Sequence, residues 1–297
     1  MRLSSTHYSL EGALRESEIE TYMSSVHDHN RNAWDDRVRR KDWYIDTATE
    51  RDFKNPLAVV DQCGWLGGDV TGKRLLCLAA GGGRHSVLFA TAGAHVTVLD
   101  ISPEMLALDK KLSTERKLNI QIVPGSMDDL SMFADSSFDI VVQPVSTCYV
   151  PEVECVYREV ARVTVRAGIY VSQHKQPVNL QADVLPSGRG YLLNEPYYRT
   201  GPLPPSIARS WHREDGTIEF LHRWDQLLGG LCRSGFVIED VAEPQHADPN
   251  AEVGSFGHRS RYVPPYIKIK ARRKRDADRA EAGRIWTPSG DFGDGKP

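Results

Sequence analysis

The stretch RLLCLAAGGGRHS, residues 74–86, constrains this chain more than any other. An apolar run of strand length passes straight into three consecutive glycines, Gly81, Gly82 and Gly83, and then into a segment with helical spacing. Backbone free of side chains at such a turn lets a ligand lie directly against it. The amides that open the following helix favour a negative group, which places Arg84 and His85 beside a carboxylate or phosphate. The next strand, HVTVLD, ends on Asp100, seventeen positions after Gly83. A carboxylate there is placed to accept both hydroxyl hydrogens of a ribose. Glycine turn and acidic strand end together point to an adenosine-type ligand.

The surrounding pattern has the same rhythm. From Lys73 onward, short apolar runs alternate with helical segments: RLLCLAA, then RHSVLFATAGA; HVTVLD, then SPEMLALDKKLSTERK; NIQIVPG; SFDIVVQPV, then PEVECVYREVARVTV; and IYVSQ. Ser102 reads as an N-cap with Pro103 in the first turn. Alternation through five cycles predicts a doubly wound parallel sheet covered by helices on both faces. After residue 216, TIEFLHRW is strand-like, DQLLGGLCRSG a helix ended by Gly235, and FVIEDVAEP and YVPPYIKIKAR two strands joined by a loop. Such a pair closes one edge of the sheet antiparallel.

Outside this core, residues 1–70 have helical spacing and are expected to form a cap. Within NAWDDRVRRKDWY, Trp34 and Val38, with Trp43 and Tyr44, form an apolar side, while Asp35, Asp36, Arg39 and Arg40 face water. Residues 71–272 form the main domain. Within it, residues 175–216 are too long and too rich in proline for an ordinary connection, and read as a substrate cover. The charged, glycine-rich tail 273–297 is expected to be disordered, and ARRKR at 271–275 to be a solvated terminus.

A chain of 297 residues with 40% hydrophobic content supports one large α/β domain with additions. A net charge of -3 supplies no field for nucleic acid or an anionic membrane. The N-terminus does not read as a secretory signal and no run reaches the roughly eighteen apolar residues of a membrane span, so a cytoplasmic protein is expected. The five cysteines lack any Cys-x-x-Cys pair, which argues against disulfides and zinc, and Cys77 reads as a buried thiol.

A dinucleotide-binding oxidoreductase shares the glycine and acidic features, but its third glycine position holds Ser86 here. The wider motif order is more specific. Residues 73–271 resemble the class I S-adenosylmethionine-dependent methyltransferases, in a bacterial small-molecule branch. CLAAGGGRH resembles that family's D-x-G-x-G motif, with Ala79, Gly81 and Gly83 in the glycine positions. VTVLDISPEML resembles its second motif, VPGSMDDL and SFDIVV its third and fourth, and REVARVTVRAGIYV the R-V-L-K-P-G-G stretch. HRWDQLLGGLCRSGFVIEDVAEP with PPYIKIKAR resembles the closing helix and hairpin that dehydrogenases lack. Cys77 stands where the family commonly has an acid, Ala79 where it has a glycine, Ser126 where it often has aspartate, and Arg166 and Ala167 replace Pro-Gly.

The resemblance implies a Rossmann-like, seven-stranded, mostly parallel sheet with an antiparallel C-terminal hairpin, and S-adenosylmethionine as cofactor. It implies cofactor contacts at Ala79, Gly81, Gly83, Arg84, Asp100, Ile101, Met105, Met127 and Gln143, with Ser126 or Asp128 as candidates for the adenine amino group. Gln143, Pro144 and Ser146 follow the fourth strand at the ligand-binding edge of such sheets. His174 leaves the fifth strand there and is the candidate general base. Tyr149, Tyr197, Tyr198 and Arg199 are candidates for the acceptor pocket, Arg199 as partner of a carboxylate, and Trp34 closes over it. The expected reaction is methyl transfer to an oxygen or nitrogen of a small molecule or short peptide, without a metal. An oxidoreductase and a cofactor-binding protein without catalysis are the alternatives.

Overall fold

A computed structural model describes residues 16–42, 45–206 and 213–274. The centre is one sheet of seven strands in the order β3-β2-β1-β4-β5-β7-β6. Its strands are β1 (Arg74–Leu78), β2 (His95–Asp100), β3 (Ile120–Pro124), β4 (Phe138–Gln143), β5 (Thr164–Lys175), β6 (Phe236–Ala242) and β7 (Tyr266–Arg273). β1 to β5 pair in parallel, and β7 lies antiparallel between β5 and β6. The antiparallel closing pair is therefore as expected.

Residues alternate across the sheet and build two cores. Leu76 and Leu78 of β1 join Val141, Tyr170 and Ile269 under α5 (Val153–Val163) and α7 (Gly230–Arg233). Leu75 and Cys77 join Val96, Val98 and Val142 under α2 (Pro56–Val60), α3 (His85–Thr91) and α4 (Pro103–Glu115). Helices on both faces explain why the central strands are apolar throughout. Cys77 is a buried free thiol. Ser102 accepts from the amide of Met105 at 3.1 Å, the N-cap expected for α4.

Strand order reverses between β1 and β4, which opens a crevice at their carboxyl ends. Across it runs α1 (Glu16–Arg40). Asp35 is buried on this helix rather than water-facing: its carboxylate accepts from Ser102 Oγ at 2.6 Å and from the Glu104 amide at 3.2 Å, docking α1 onto the start of α4. Trp43, Tyr44, Arg275 and the rest of the tail lie outside the described residues.

Two further expectations change. β5 begins at Thr164, five residues before IYVSQ, and passes through Ala167 at φ 62°. TIEFLHRW is not a strand of the sheet, because its backbone bonds elsewhere. Ile218 pairs with the Asn30 side chain, and the Phe220 amide donates to Cys148 O at 2.7 Å. Residues 177–206 hold the short helix α6 (Pro177–Gln181) and isolated bridges. Buried Arg259, from α8 (Phe256–Arg259), donates to the carbonyls of Asn179, Ala182 and Asp183 and pins this segment.

Candidate active site

The crevice holds a cavity of about 250 Å³ that runs from the end of β2, past the glycine turn, to the residues after β4. Ala79, Gly81, Arg84, Asp100, Ile101, Met105, Ser126, Met127, Ser146, Tyr149 and Trp34, all expected from sequence, line it. His27, Asn30 and Asp46 line it as well.

The glycine turn, whose Gly81 and Gly82 line the cavity, also packs closely on its other side. A Cβ on Gly81 would stand 2.8 Å from Met105 Cβ, and one on Gly83 would stand 2.7 Å from Leu112 Cδ1. Close packing on α4 therefore excludes side chains from the turn as well, and Gly83 does not reach the cavity. Ala79 takes φ 47°, the left-handed conformation that glycine adopts without cost. Beneath the turn, buried Asp109 accepts from the Gly82 amide at 2.8 Å and from Ser86 Oγ. Burial pushes its carboxyl up to about 6.

Asp100 is buried, and its oxygens accept from the amides of Gly81 and Ser102, each at 2.9 Å. Burial raises its pKa against these hydrogen bonds. A buried carboxylate with two amide partners still offers lone pairs to the cavity, which suits two ribose hydroxyls. The residues therefore fit the nucleoside part of an adenosine-type cofactor. His85 also lines the cavity, and burial followed by repulsion from Arg84 and Lys268 lowers it to about 4, so it is neutral at pH 7.

At the end of the cavity near Met127, Asp128 sits just behind the lining. Its Oδ2 accepts from His27 Nε2 at 3.0 Å and its other oxygen from Ser126 Oγ. The hydrogen bond to Asp128 raises the His27 pKa despite burial. Burial works to raise Asp128, but its bond to His27 prevails and lowers it. One turn further along α1, Asn30 donates to the carbonyls of Tyr149 and Ile218 and accepts from the Ile218 amide at 2.8 Å. Trp34 meets Tyr149 edge-on, with centroids 5.7 Å apart.

Several expected residues lie elsewhere. His174 does not reach the cavity: it is buried between the hydroxyls of Thr147 and Ser172, at 2.8 and 2.7 Å, and burial lowers it to about 3. That makes it a neutral packing residue and not a base. Gln143 stands behind the lining, donating to Ser146 Oγ at 2.8 Å and Met127 Sδ at 3.1 Å, so it positions two lining residues. The hydroxyl of Tyr197 accepts from the Trp224 amide at 3.0 Å, Tyr198 is 77% exposed, and Arg199 pairs with Glu195 at 2.7 Å. None of these three lines the cavity, and neither does any other residue of 177–206. The walls come instead from α1 and residues 144–150. His27 and Asn30 escaped the sequence reading, although their spacing of three and four along the chain places them on one helical face with the expected Trp34.

Residues 76–172 match the family model described as a methyltransferase domain. The uncharacterized methyltransferase YbaJ of Bacillus subtilis is 33% identical over 235 residues, which span 74% of this chain and 91% of that protein. The chain is a class I S-adenosylmethionine-dependent methyltransferase. The fold of this methyltransferase is shared by an S-adenosylmethionine-dependent methyltransferase from Mesorhizobium loti, with a TM-score of 0.57 at 24% identity over 69% of this chain and 93% of that one. It is shared also by a chain from Listeria monocytogenes, with a TM-score of 0.59 at 18% identity over 73% and 98%. Bound to the methyltransferase, the cofactor supplies an electrophilic methyl group on a sulfonium. The protein's part is to hold it, align an acceptor and exclude water.

Proposed function

We propose that this methyltransferase modifies an oxygen or nitrogen of a small molecule or short peptide, in the cytoplasm. The observation that carries the reading is the lid. α1 crosses the cavity with His27, Asn30 and Trp34 on its underside, and Asn30 ties it to both Tyr149 and Ile218. A crevice closed in this way suits a ligand that fits beneath a helix, and poorly suits a duplex or a folded protein surface. Asp100 holds the ribose, the amide of Met127 and the Ser126–Asp128 pair meet the adenine, and Arg84 stands at the methionine end. Ser146, Tyr149 and Trp34 then surround the acceptor.

The test is incubation with methyl-labelled S-adenosylmethionine and a bacterial extract separated into small-molecule, protein and RNA fractions. Label is expected in the small-molecule fraction and absent with an Asp100→Ala variant. Label concentrated in protein or RNA would overturn the substrate reading while leaving the enzyme class intact.

A further inference from the structure

A second cavity, of about 180 Å³, opens on the α2 face of the sheet near the carboxyl ends of β4 and β5. It meets the first at Arg84, His85 and Pro144, which line both. Strand register accounts for its polar floor. Val171 packs into the core under α2, and Gln173, two residues on, points to the same face. Lys268 of β7 stands directly opposite Gln173, so its side chain lies on that face as well. Both residues line the cavity, together with Gln62 from the loop after α2.

Lys268 is a cation without an acid. Lys270 and Arg272, on the same face of β7, both pair with Glu239. Lys268 stands opposite Ala242 of β6 instead, and among the described residues its ammonium donates only to the neutral Gln62 Oε1, at 3.1 Å. An ammonium has three hydrogens, so two are left for a ligand. The one acid in the lining, Asp61, is engaged by its own loop: its two oxygens accept from the amides of Trp65 and Leu66, each at 2.9 Å. Arg84 is held by Asp46 and Asp52. At the junction, His85 makes no hydrogen bond to a described residue and neither ring nitrogen is sealed from solvent, so both remain open to a ligand. One uncommitted cation among neutral amides suits a single negative charge. A carboxylate meets that demand, whereas a phosphate monoester carries about -1.5 to -2 at pH 7.

We propose that the second cavity is a specificity pocket for a carboxylate on the methyl acceptor, held by Lys268 with Gln62 and Gln173 beside it. The substrate is then a small organic acid. Its hydroxyl or amine is methylated in the first cavity, and its carboxylate reaches past His85 and Pro144 into the second. This rests on the small-acceptor reading above. The carboxylate does not react; its bond to Lys268 fixes the acceptor's position, which holds the reacting atom in place.

The experiment is calorimetric titration of the full chain with benzoate, benzamide and phenyl phosphate. The chain is first saturated with S-adenosylhomocysteine, so that the cofactor's own carboxylate is in place. Benzoate is expected to bind at least about tenfold more tightly than either of the others, the worth of one charge-assisted hydrogen bond. The preference should vanish in Lys268→Gln and persist in Lys268→Arg, both with the native affinity for S-adenosylhomocysteine. Benzoate binding no more tightly than benzamide or phenyl phosphate, binding of none of the probes, or a preference that survives Lys268→Gln overturns the proposal. So does loss of S-adenosylhomocysteine affinity in Lys268→Gln at an unchanged melting temperature, because Lys268 would then hold the cofactor. Should Lys268→Gln unfold, Gln173→Leu decides in its place: severalfold weaker benzoate binding is expected, and unchanged binding overturns the proposal. Failure of the small-acceptor reading is seen separately, as label in protein or RNA in the extract experiment, and failure of the native protein to bind S-adenosylhomocysteine would overturn the cofactor assignment.

Discussion

In the proposed cofactor site, Asp100 presents one carboxylate whose two oxygens are already oriented by the amides of Gly81 and Ser102. Pre-orientation means that little ordering remains to be done when a ribose arrives. Asp100→Ala is expected to weaken S-adenosylhomocysteine by roughly tenfold to a hundredfold, the loss of one or two charge-assisted hydrogen bonds, as read by calorimetry. NADH should not bind the native protein measurably in the same experiment. Ala79 makes an opposite prediction. Its φ of 47° carries a steric cost of roughly 1–2 kcal/mol that glycine does not incur, offset in part by the greater freedom of glycine in the unfolded chain. Ala79→Gly should therefore raise the melting temperature slightly; a fall would show that the methyl group packs favourably enough to outweigh its backbone.

The lid helix α1 is anchored by polar contacts spaced along one face, so its docking is sensitive to pH. The His27 pKa is raised by Asp128, so its contribution is fully present below the unfolded value of 6.5 and is lost as pH rises through the higher folded value. The Asp128 pKa is lowered, so its contribution is present above 3.8 and is lost as pH falls through the lower folded value. Docking is thus strongest between about pH 4 and 6.5 and loosens on the alkaline side. Hydrogen exchange of amides around Val26–Asn30 should quicken from pH 6 to 9 beyond the intrinsic rate increase, and His27→Ala should remove the excess. Asn30→Ala deletes three hydrogen bonds to Tyr149 and Ile218, and at roughly 1 kcal/mol each should release α1 at every pH. Unchanged protection in Asn30→Ala would mean that Asp35, bonded to Ser102, and Arg37, which donates to the Asp215 carbonyl at 2.7 Å, suffice to hold the helix.

At the scale of the whole molecule, the buried cluster of Lys175 with Glu214, Glu219 and Arg213 ties residues 213–219 to the end of β5 and so joins the lid's support to the sheet. Lys175→Met would leave two buried carboxylates short of a cation and should cost about 3–5 kcal/mol in urea unfolding, much more than loss of an exposed pair such as Arg39–Asp36. A loss below about 1 kcal/mol would show that Arg213 or water compensates. The sequence by itself determined the sheet, its antiparallel closure and the strand-end positions of Gly81 and Asp100 beside the cavity. Those signals are local: apolar runs of strand length, glycines at a strand end, an acid at the next strand end, and caps such as Ser102. The tertiary structure decided which of the remaining expected side chains line the cavity. Whether His174 faces a cavity or two hydroxyls depends on which strand neighbours β5, and whether Arg199 meets a ligand or Glu195 depends on the path of a segment without periodicity. Pairings such as His27–Asp128 and Lys175–Glu214 join residues 101 and 39 positions apart. No local pattern encodes such a meeting, because the energy that selects it comes from burial and charge compensation, which exist only once the chain is folded.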